Sequence, residues 1–355
     1  MMGKVPTSTT IRAVDLFCGV GGLTHGLARG GVEVVAGYDL DAACKYAFEA
    51  NNNAIFVEKD VGKITAAEIK DRLGNDSITL VAGCAPCQPF STYSRTGRTK
   101  RSNSDWSLVA NFGRLVQRVQ PDLVTMENVP AIQSHPVFGE FLRALEGYAV
   151  TCRVVQCAMI GVPQTRKRLV LVASKLGTVA PSLDWPTEDM ITVRQAIASL
   201  PPLNAGEGSR DDPLHLACRL SSVNLHRIRA SRPGGTWRDW PEALRSPCHR
   251  KITGDTFPAV YGRMAWDAPA PTVTTQCFGY GNGRFGHPEQ DRAITLREAA
   301  ILQTFPDDYR FVHKDERVRF AHMGRLIGNA VPVRLGERIA QTFRVHVDEV
   351  LCRTN

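Results

Sequence analysis

The fold is decided by a stretch near the start of the chain, Ile11 to Gly22, which reads IRAVDLFCGVGG. Its first seven residues are mostly apolar, which predicts a buried β-strand. The glycines that follow lead into a predicted helix over Leu23 to Arg29. Glycine lets the backbone approach a ligand closely and a helix start offers free N–H groups, so this succession is typical of a nucleotide-type site. The glycine spacing differs from the dinucleotide fingerprint, which argues against NAD.

Strands and helices continue to alternate after this stretch. Strands are predicted at residues 32–38, 54–57, 78–82, 122–126 and 169–173, and helices at 42–51, 108–119, 296–303 and 333–351. The βαβαβ order of the first half predicts the parallel architecture of a cofactor domain. Asp39 ends the second strand, where an acidic side chain commonly accepts hydrogen bonds from a ribose diol. Asp41 is a candidate N-cap of the helix that follows.

The loop Gly83 to Ser91, GCAPCQPFS, follows the strand at 78–82. Cys87 should therefore lie just past the carboxyl end of a parallel strand, where open α/β sheets bind ligands. Pro86 and Pro89 restrict the backbone on either side of it, which suits a nucleophile. Cys87 is the candidate for the reacting atom.

Three other readings of this loop stay open. Cys87 has the usual alternative of a buried structural cysteine. Cys84 and Cys87 form a Cys-x-x-Cys pair, which is typical of a redox dithiol or of half a zinc site. A zinc site needs two further ligands at short spacing, and the sequence has no second such pair.

Charged side chains flank two later strands. Glu127 comes at the end of the strand at 122–126, and a carboxylate inside an apolar run is hard to explain as core packing. Arg166 and Arg168 precede the strand at 169–173 and alternate along an extended segment, so both should face an acceptor such as a carbonyl, a carboxylate or a phosphate.

The composition is that of an ordinary globular protein of 355 residues with a net charge of +8, which favours a polyanionic partner. The sequence lacks an apolar run of membrane-spanning length and a signal-peptide pattern at its start. Ten cysteines without framework spacing favour reduced thiols in a cytoplasmic setting. Residues 91–104 predict a basic loop, which is either a solvated surface or a segment that closes over phosphates. From residue 175 onwards the sequence predicts a loop-rich module or an irregular lid.

Six blocks of the sequence occur in an order that resembles the DNA (cytosine-5) methyltransferases. They are DLFCGVGG (15–22), PCQ (86–88), ENV (127–129), QTRKR (164–168), REA (297–299) and GNAVP (328–332). The resemblance covers residues 11–350, and the Pro-Cys-Gln and Glu-Asn-Val blocks are its most specific parts. It implies an α/β, Rossmann-like fold of the S-adenosylmethionine-dependent methyltransferases, with a mixed sheet and a smaller inserted target-recognition domain. The expected catalytic and cofactor-binding domain is 1–185, completed by 325–355, and the expected recognition domain is 186–324.

The resemblance also implies the roles of four catalytic residues. Cys87 would add to carbon 6 of cytosine, and Glu127 would hold and protonate the ring at N3. Arg168 would bind the carbonyl oxygen of the base, and Arg166 would orient the cysteine loop and Glu127 by ion pairing. The base would have to leave the DNA stack to reach such a pocket.

The resemblance implies a cofactor site for S-adenosylmethionine, with S-adenosylhomocysteine as product and no metal. Leu40 follows Asp39 at a position where many relatives carry a large aromatic side chain. The expected cofactor-binding residues are Phe17, Gly19, Gly21, Gly22, Asp39, Leu40, Asp60, Val61, Pro86, Leu108 and Asn329.

Double-stranded DNA is the expected partner, in a monomeric bacterial or archaeal enzyme of the cytoplasm and nucleoid that acts alongside a separate restriction endonuclease or alone. The candidate DNA contacts are Ser91, Arg95, Arg98, Arg227, Arg229 and Arg232. Three rival functions are an RNA cytosine-5 methyltransferase, a catalytically silent DNA-binding relative and a redox enzyme that uses Cys84 and Cys87. The RNA branch is expected to carry a Cys-Phe-Thr block in its recognition region, and the sequence has none.

Overall fold

The computed structural model describes residues 10–86, 106–251, 257–314 and 316–354. Within them, one mixed sheet forms the centre of the fold. Its strands are β1 Ile11–Leu16, β2 Glu33–Asp39, β3 Ile55–Glu58, β4 Ile78–Gly83, β5 Leu123–Asn128, β6 Ala149–Gln156 and β7 Lys167–Ser174. The helices are α1 Gly22–Arg29, α2 Lys45–Glu49, α3 Ala66–Leu73, α4 Trp106–Val119, α5 Pro136–Ala144, α6 Val193–Ile197, α7 Ser222–Arg229, α8 Leu296–Leu302, α9 Phe320–Asn329 and α10 Val333–Thr354.

The strand order is β3-β2-β1-β4-β5-β7-β6. The first five strands in this order run parallel, whereas β7 runs antiparallel to both of its neighbours, β5 and β6. All six residues of β5 are buried, as expected of a central strand that is covered on both faces. The predicted α/β class with a mixed sheet is confirmed.

The final helix, α10, packs against the first helix, α1. The two helices approach closely because α1 carries Gly26 and α10 carries Gly336. A methyl group on Gly26 would lie 2.7 Å from the Cα atom of Gly336 and would also meet the carbonyl oxygen of Val333. The last helix of the chain therefore covers the helix that begins at the glycine turn.

The described residues form two compact units. The sheet unit comprises the described residues of 1–156, 167–187 and 331–355. The loop unit comprises 157–166 and the described residues of 188–330. Two predicted domain boundaries, 185/186 and 324/325, lie near these divisions, and the short segment 157–166 was not expected to group with the loop unit.

The loop unit is held together by buried polar and aromatic side chains. Arg292 and Glu298 are both almost fully buried and form two hydrogen bonds of 2.8 and 2.7 Å. Thr295 and Glu298 complete a capping box at the start of α8. Trp237 and Trp240 are 2 % exposed, so these tryptophans belong to a small core rather than to the surface.

Several elements differ from the sequence-based expectation. The strand β6 was not predicted; it is the edge of the sheet, and exposed side chains interrupt its apolar pattern. The helix predicted at 42–51 is a short 3-10 turn at Ala42–Cys44 followed by α2. Asp41 accepts a hydrogen bond from the backbone N–H of Ala43, so the side chain does cap this turn. Among the described residues, none of the helices combines the length and the hydrophobicity that a membrane crossing needs.

Replacement of Gly26 by alanine tests the contact between α1 and α10. We expect Gly26→Ala to lower the free energy of unfolding by about 2 kcal/mol or more, because backbone atoms cannot yield as a flexible side chain can. The measurement is the midpoint of urea denaturation.

The matched control is Gly139→Ala in α5, where the nearest atom to an added methyl group is Arg143 Nη1 at 3.8 Å. This change should raise the free energy of unfolding by about 0.5 to 1 kcal/mol, because alanine is the better helix former. Equal effects of the two substitutions would show that the helix contact is not tight.

Candidate active site

The carboxyl edge of the sheet gathers most of the predicted site residues in the sheet unit. Parallel strands end at one edge, so the ends of β1, β2, β4 and β5 lie side by side. Because β7 is antiparallel to β5, it begins at the same edge, and Asn128 at the end of β5 pairs with Leu169. The edge therefore carries Asp39 from β2, Glu127 from β5 and Arg168 from β7.

The turn after β1 is built from left-handed backbone conformations. Phe17, Gly19 and Gly21 have φ angles of 60°, 52° and 89°. Gly21 is the N-cap of α1, and glycine adopts this conformation without strain. Phe17 adopts it at a cost, and such strain in a non-glycine residue is typical of functional sites. The turn also leaves Gly22 as the first residue of the helix.

Asp39 fixes the glycine turn. Its Oδ2 accepts a hydrogen bond of 2.9 Å from the backbone N–H of Gly19, and its Oδ1 accepts one of 2.9 Å from Asp41. Burial raises the pKa of Asp39, although these hydrogen bonds oppose the shift. Each carboxylate oxygen can accept a second hydrogen bond, so the side chain keeps the capacity to bind a diol.

The remaining predicted cofactor residues of the sheet unit lie on neighbouring segments. Asp60 follows β3 and caps a 3-10 turn by accepting a hydrogen bond of 2.9 Å from the N–H of Gly62. Val61 lies within that turn, which packs against α4, the helix that carries Leu108. Leu40 is 68 % exposed, a large apolar surface beside the acidic Asp39. Pro86 is exposed after β4.

Asp15 is a buried acid inside β1 that the sequence analysis did not single out. Its Oδ2 accepts a hydrogen bond of 2.7 Å from the hydroxyl of Thr24, and its Oδ1 has no hydrogen-bond partner among the described residues. Burial, with a smaller contribution from the nearby charge of Asp39, raises its pKa to about 7. The signal was present in the sequence, since Asp15 is an acid in an apolar run in the same way as Glu127.

Glu127 is 2 % exposed and is contacted on both carboxylate oxygens. Arg168 Nε lies 2.8 Å from Oε1, an ion pair whose N–H is not aligned as a hydrogen bond. The Cys84 thiol donates to Oε2 at 2.7 Å. Gly83 pairs with Met126 across β4 and β5, which brings Cys84 beside Glu127. The family resemblance implies an ion pair between Arg166 and Glu127, whereas in the structure Arg168 makes such a pair.

The neighbouring residue Asn128 connects β5 to the cysteine loop. Its Nδ2 donates a hydrogen bond of 3.1 Å to the carbonyl oxygen of Ala85, and its Oδ1 accepts one of 2.8 Å from the N–H of Val129. The residues that lead to position 87 are thereby fixed to the strand that carries Glu127. Cys87 itself lies outside the described residues, as do Ser91, Arg95 and Arg98.

Arg166 and Asn329 belong to the loop unit. Arg166 is 3 % exposed and donates from Nη1 to the carbonyl oxygen of Val273 and from Nη2 to that of Ala330, at 3.2 and 3.3 Å. Gln303 donates to the same Ala330 oxygen at 3.2 Å. Asn329 ends α9 directly before Ala330 and is exposed.

The three arginines predicted to bind DNA in the loop unit differ in their surroundings. Arg227 lies over the rings of Trp240 and Tyr261, at 5.5 and 5.3 Å from their centroids. It also donates a hydrogen bond of 2.9 Å to the carbonyl oxygen of Leu244. Arg229 is exposed and pairs with Asp291 at 3.1 Å, and Arg232 is exposed. Arg227 is therefore engaged in the aromatic core of this unit.

No group of three or more His, Cys, Asp or Glu side chains in the described residues is placed to hold a metal ion. The expectation that the reaction needs no metal stays a prediction.

The family model of the C-5 cytosine-specific DNA methylases matches residues 11–344 of the chain. The chain belongs to this family. The methylase is thus a DNA (cytosine-5-)-methyltransferase, and the family resemblance drawn from the six sequence blocks is confirmed.

Curated relatives agree with the family of the methylase, and solved structures share its fold. Type II methylase M.HgiDII of Herpetosiphon aurantiacus is 49 % identical over 93 % of this chain and 94 % of its own. Type II methyltransferase M1.HphI of Haemophilus parahaemolyticus is 32 % identical over 92 % and 85 %. The structure of Entamoeba histolytica methyltransferase EhMeth superposes with a TM-score of 0.65 at 15 % identity, covering 96 % of this chain and 98 % of that one. Spodoptera frugiperda DNMT2 gives a TM-score of 0.60 at 16 % identity, with 97 % and 100 % covered, and these two likenesses concern the fold.

The raised pKa of Asp15 predicts a pH dependence of the stability of the methylase. The folded protein keeps a proton on Asp15 up to about pH 7, whereas the unfolded chain releases it near the ordinary value of 3.8. Stability must therefore fall as the pH rises through this range. Asp15→Asn removes this contribution. The free energy of unfolding of the variant, relative to wild type, should therefore rise by about 2.5 kcal/mol from about pH 5 to pH 8. Urea denaturation at a series of pH values measures the difference.

Asp76→Asn is the control for this comparison, because Asp76 is an exposed aspartate of the same unit. Its stability curve should run parallel to that of wild type. If the curve of Asp15→Asn also ran parallel to wild type, Asp15 would not be protonated in the folded protein at neutral pH.

Proposed function

We propose that the methylase transfers a methyl group from S-adenosylmethionine to carbon 5 of a cytosine within a specific sequence of double-stranded DNA. The reaction would pass through a covalent bond between Cys87 and carbon 6 of a cytosine flipped out of the helix. The observation that carries the proposal is the buried Glu127 carboxylate, which lies at the ligand-binding edge of the sheet beside the residues that lead to the Pro-Cys-Gln block.

The chemistry explains why a thiol and a carboxyl group are both needed. Carbon 5 of cytosine is a poor nucleophile. Addition of the Cys87 thiolate at carbon 6 converts the ring into an enamine that can attack an electrophilic methyl group. Glu127, in its protonated carboxyl form, would hold N3 and transfer its proton to it, which draws electrons away from the attacked carbon. Loss of the carbon 5 proton and elimination of Cys87 would then release 5-methylcytosine.

Arg168 and Arg166 have different proposed tasks. Arg168 lies beside the Glu127 carboxylate through its Nε, and its guanidinium would bind the carbonyl oxygen of the base. Arg166 is held by the backbone carbonyl groups of Val273 and Ala330, and we assign it the orientation of the cysteine loop that the family resemblance implies. A flipped base would bring its polar edge to Glu127 and Arg168, and the flip itself requires the free energy of unstacking.

The residues at the carboxyl edge fit S-adenosylmethionine. Asp39 keeps lone pairs for the ribose hydroxyls, and the left-handed turn from Phe17 to Gly21 gives close access to the backbone. The exposed Leu40 offers an apolar surface for an aromatic ring. When bound, S-adenosylmethionine supplies the electrophilic methyl group and leaves as S-adenosylhomocysteine. The proposed set of cofactor-binding residues is completed by Asp60, Val61, Pro86, Leu108 and Asn329.

We assign different roles to the two units. The sheet unit carries Glu127, Arg168 and most of the proposed cofactor residues. We assign target recognition to the loop unit, which also carries Arg166 and Asn329. The names of the type II relatives support a role in restriction–modification, in which a separate endonuclease cuts the same sequence when it is unmethylated. We also propose a monomeric enzyme that acts at the bacterial or archaeal nucleoid.

A trapped covalent adduct tests this function. Duplex DNA of mixed sequence that contains 5-fluorocytosine is incubated with the protein and labelled S-adenosylmethionine. Fluorine cannot leave carbon 5 as a proton, so wild type should stall as an adduct that survives denaturation. Cys87→Ser should form none, because a hydroxyl is too weakly acidic to add to carbon 6. Denaturing gels measure the adduct.

The control is Cys152→Ser, since Cys152 is exposed on the edge strand β6 and should not affect trapping. Labelling of RNA but not of DNA would transfer the proposal to an RNA substrate. If Cys87→Ser trapped DNA as wild type does, Cys87 would not be the nucleophile.

A pair of arginine variants separates DNA binding from folding in the loop unit. Arg232→Ala removes an exposed charge, so it should weaken DNA binding and reduce the slope of log K against log salt by about 1, with an unchanged melting temperature. Arg227→Ala removes the cation–π contacts with Trp240 and Tyr261, so it should instead lower the stability by about 1 to 3 kcal/mol. Fluorescence anisotropy at several salt concentrations and thermal melting measure the two effects. The same salt slope in wild type and Arg232→Ala would remove Arg232 from the interface.

A further inference from the structure

Cys84 is the described side chain that donates a hydrogen bond to the Glu127 carboxylate. It directly follows β4, and its thiol lies 2.7 Å from Glu127 Oε2. The register of β4 and β5 brings the two residues side by side, because Gly83 pairs with Met126. Cys84 is not among the four catalytic residues that the family resemblance implies.

The two oxygens of Glu127 are in different situations. Oε2 accepts the thiol hydrogen, whereas Oε1 is buried and accepts no aligned hydrogen bond from the described residues, although Arg168 Nε lies 2.8 Å away. A carboxylate of this burial is stabilised by each donor that replaces water. The thiol therefore holds one oxygen in place and leaves the other with unused capacity.

We propose that Cys84 is a positioning residue, whose thiol fixes the rotamer of Glu127 so that Oε1 faces the target base. The proposal rests on the proposed role of Glu127 toward cytosine. The thiol takes up one oxygen and the charge of Arg168 stabilises the other, so the carboxyl group meets the ring with its orientation already set. Such preorganisation accelerates the step in which the base reacts and leaves cofactor binding unaffected.

A cysteine that only fills space would behave differently. Serine is slightly smaller than cysteine and retains a donor, whereas alanine and glycine are small and lack one. A filling role predicts that serine and alanine have similar effects at position 84. A positioning role predicts that serine preserves the reaction and alanine does not.

The test compares Cys84→Ala, Cys84→Ser and wild type in three measurements on duplex DNA. They are the single-turnover rate of methyl transfer, the KM for DNA and the Kd of S-adenosylmethionine. Cys84→Ala should lower the rate roughly tenfold, as expected for loss of a hydrogen bond to a charged group. Cys84→Ser should stay within about threefold of wild type. The Kd of the cofactor should be the same in all three proteins.

A double-mutant cycle connects the effect to Glu127. In a Glu127→Ala background there is no carboxylate to position, so Cys84→Ala should cause no further loss of the residual transfer measured with labelled cofactor over long incubations. Urea denaturation checks that Cys84→Ala is folded. If it were not, Cys84→Gly would serve as the variant without a donor.

The outcomes separate this inference from the function on which it rests. Equal rates for the serine and alanine variants, or a full tenfold loss in the Glu127→Ala background, would overturn the positioning role of Cys84 while wild-type transfer stands. Absence of methyl transfer and of trapping by wild type would overturn the proposed function, and the role of Cys84 with it.

Discussion

Burial of the Glu127 carboxylate is the constraint on which the carboxyl edge of the sheet depends. A charged group removed from water is costly unless donors replace the lost solvent. Two strands beside β5 supply this compensation, since Cys84 directly follows β4 and Arg168 is the second residue of β7, next to Lys167. The reversal of β7 is essential here. If it ran parallel to β5, its far end at Ser174 would reach this edge, and the guanidinium of Arg168 would lie at the opposite end of the sheet.

Two acidic side chains beside the glycine turn also depend on hydrogen-bond donors. Asp15 is buried and Asp39 is half-buried, and burial raises the pKa of both carboxyl groups. Asp39 compensates with two backbone N–H groups, and Asp15 with the Thr24 hydroxyl. The oxygens of Asp39 can each accept a further hydrogen bond, which favours a ligand with hydroxyl groups, in agreement with the proposed cofactor.

The sequence predicts a strand well where both faces of the strand are buried. It predicts a contact less well where that contact depends on how the strands pair. β1, β4 and β5 are covered on both faces, so their apolar runs are continuous, and Glu127 was visible as a carboxylate within one of them. The edge strand β6 lacked such a run. The contact of Cys84 depends on strand register, and no sequence pattern states which of two alternating arginines reaches Glu127. Likewise, the spacing of arginines and tryptophans in the loop unit does not distinguish Arg227, which packs on aromatic rings, from the exposed Arg232.

The contact of α10 with α1 has a consequence for biosynthesis. Gly26 of α1 lies against α10, and this partner helix begins only at Val333. A ribosome must therefore translate the whole of the loop unit before the partner of α1 exists. Until then α1 lacks this partner helix, and an incompletely packed chain of this kind is prone to aggregation. Completion of the sheet unit waits for the translation of α10, whereas the sequence of the loop unit is already available to fold.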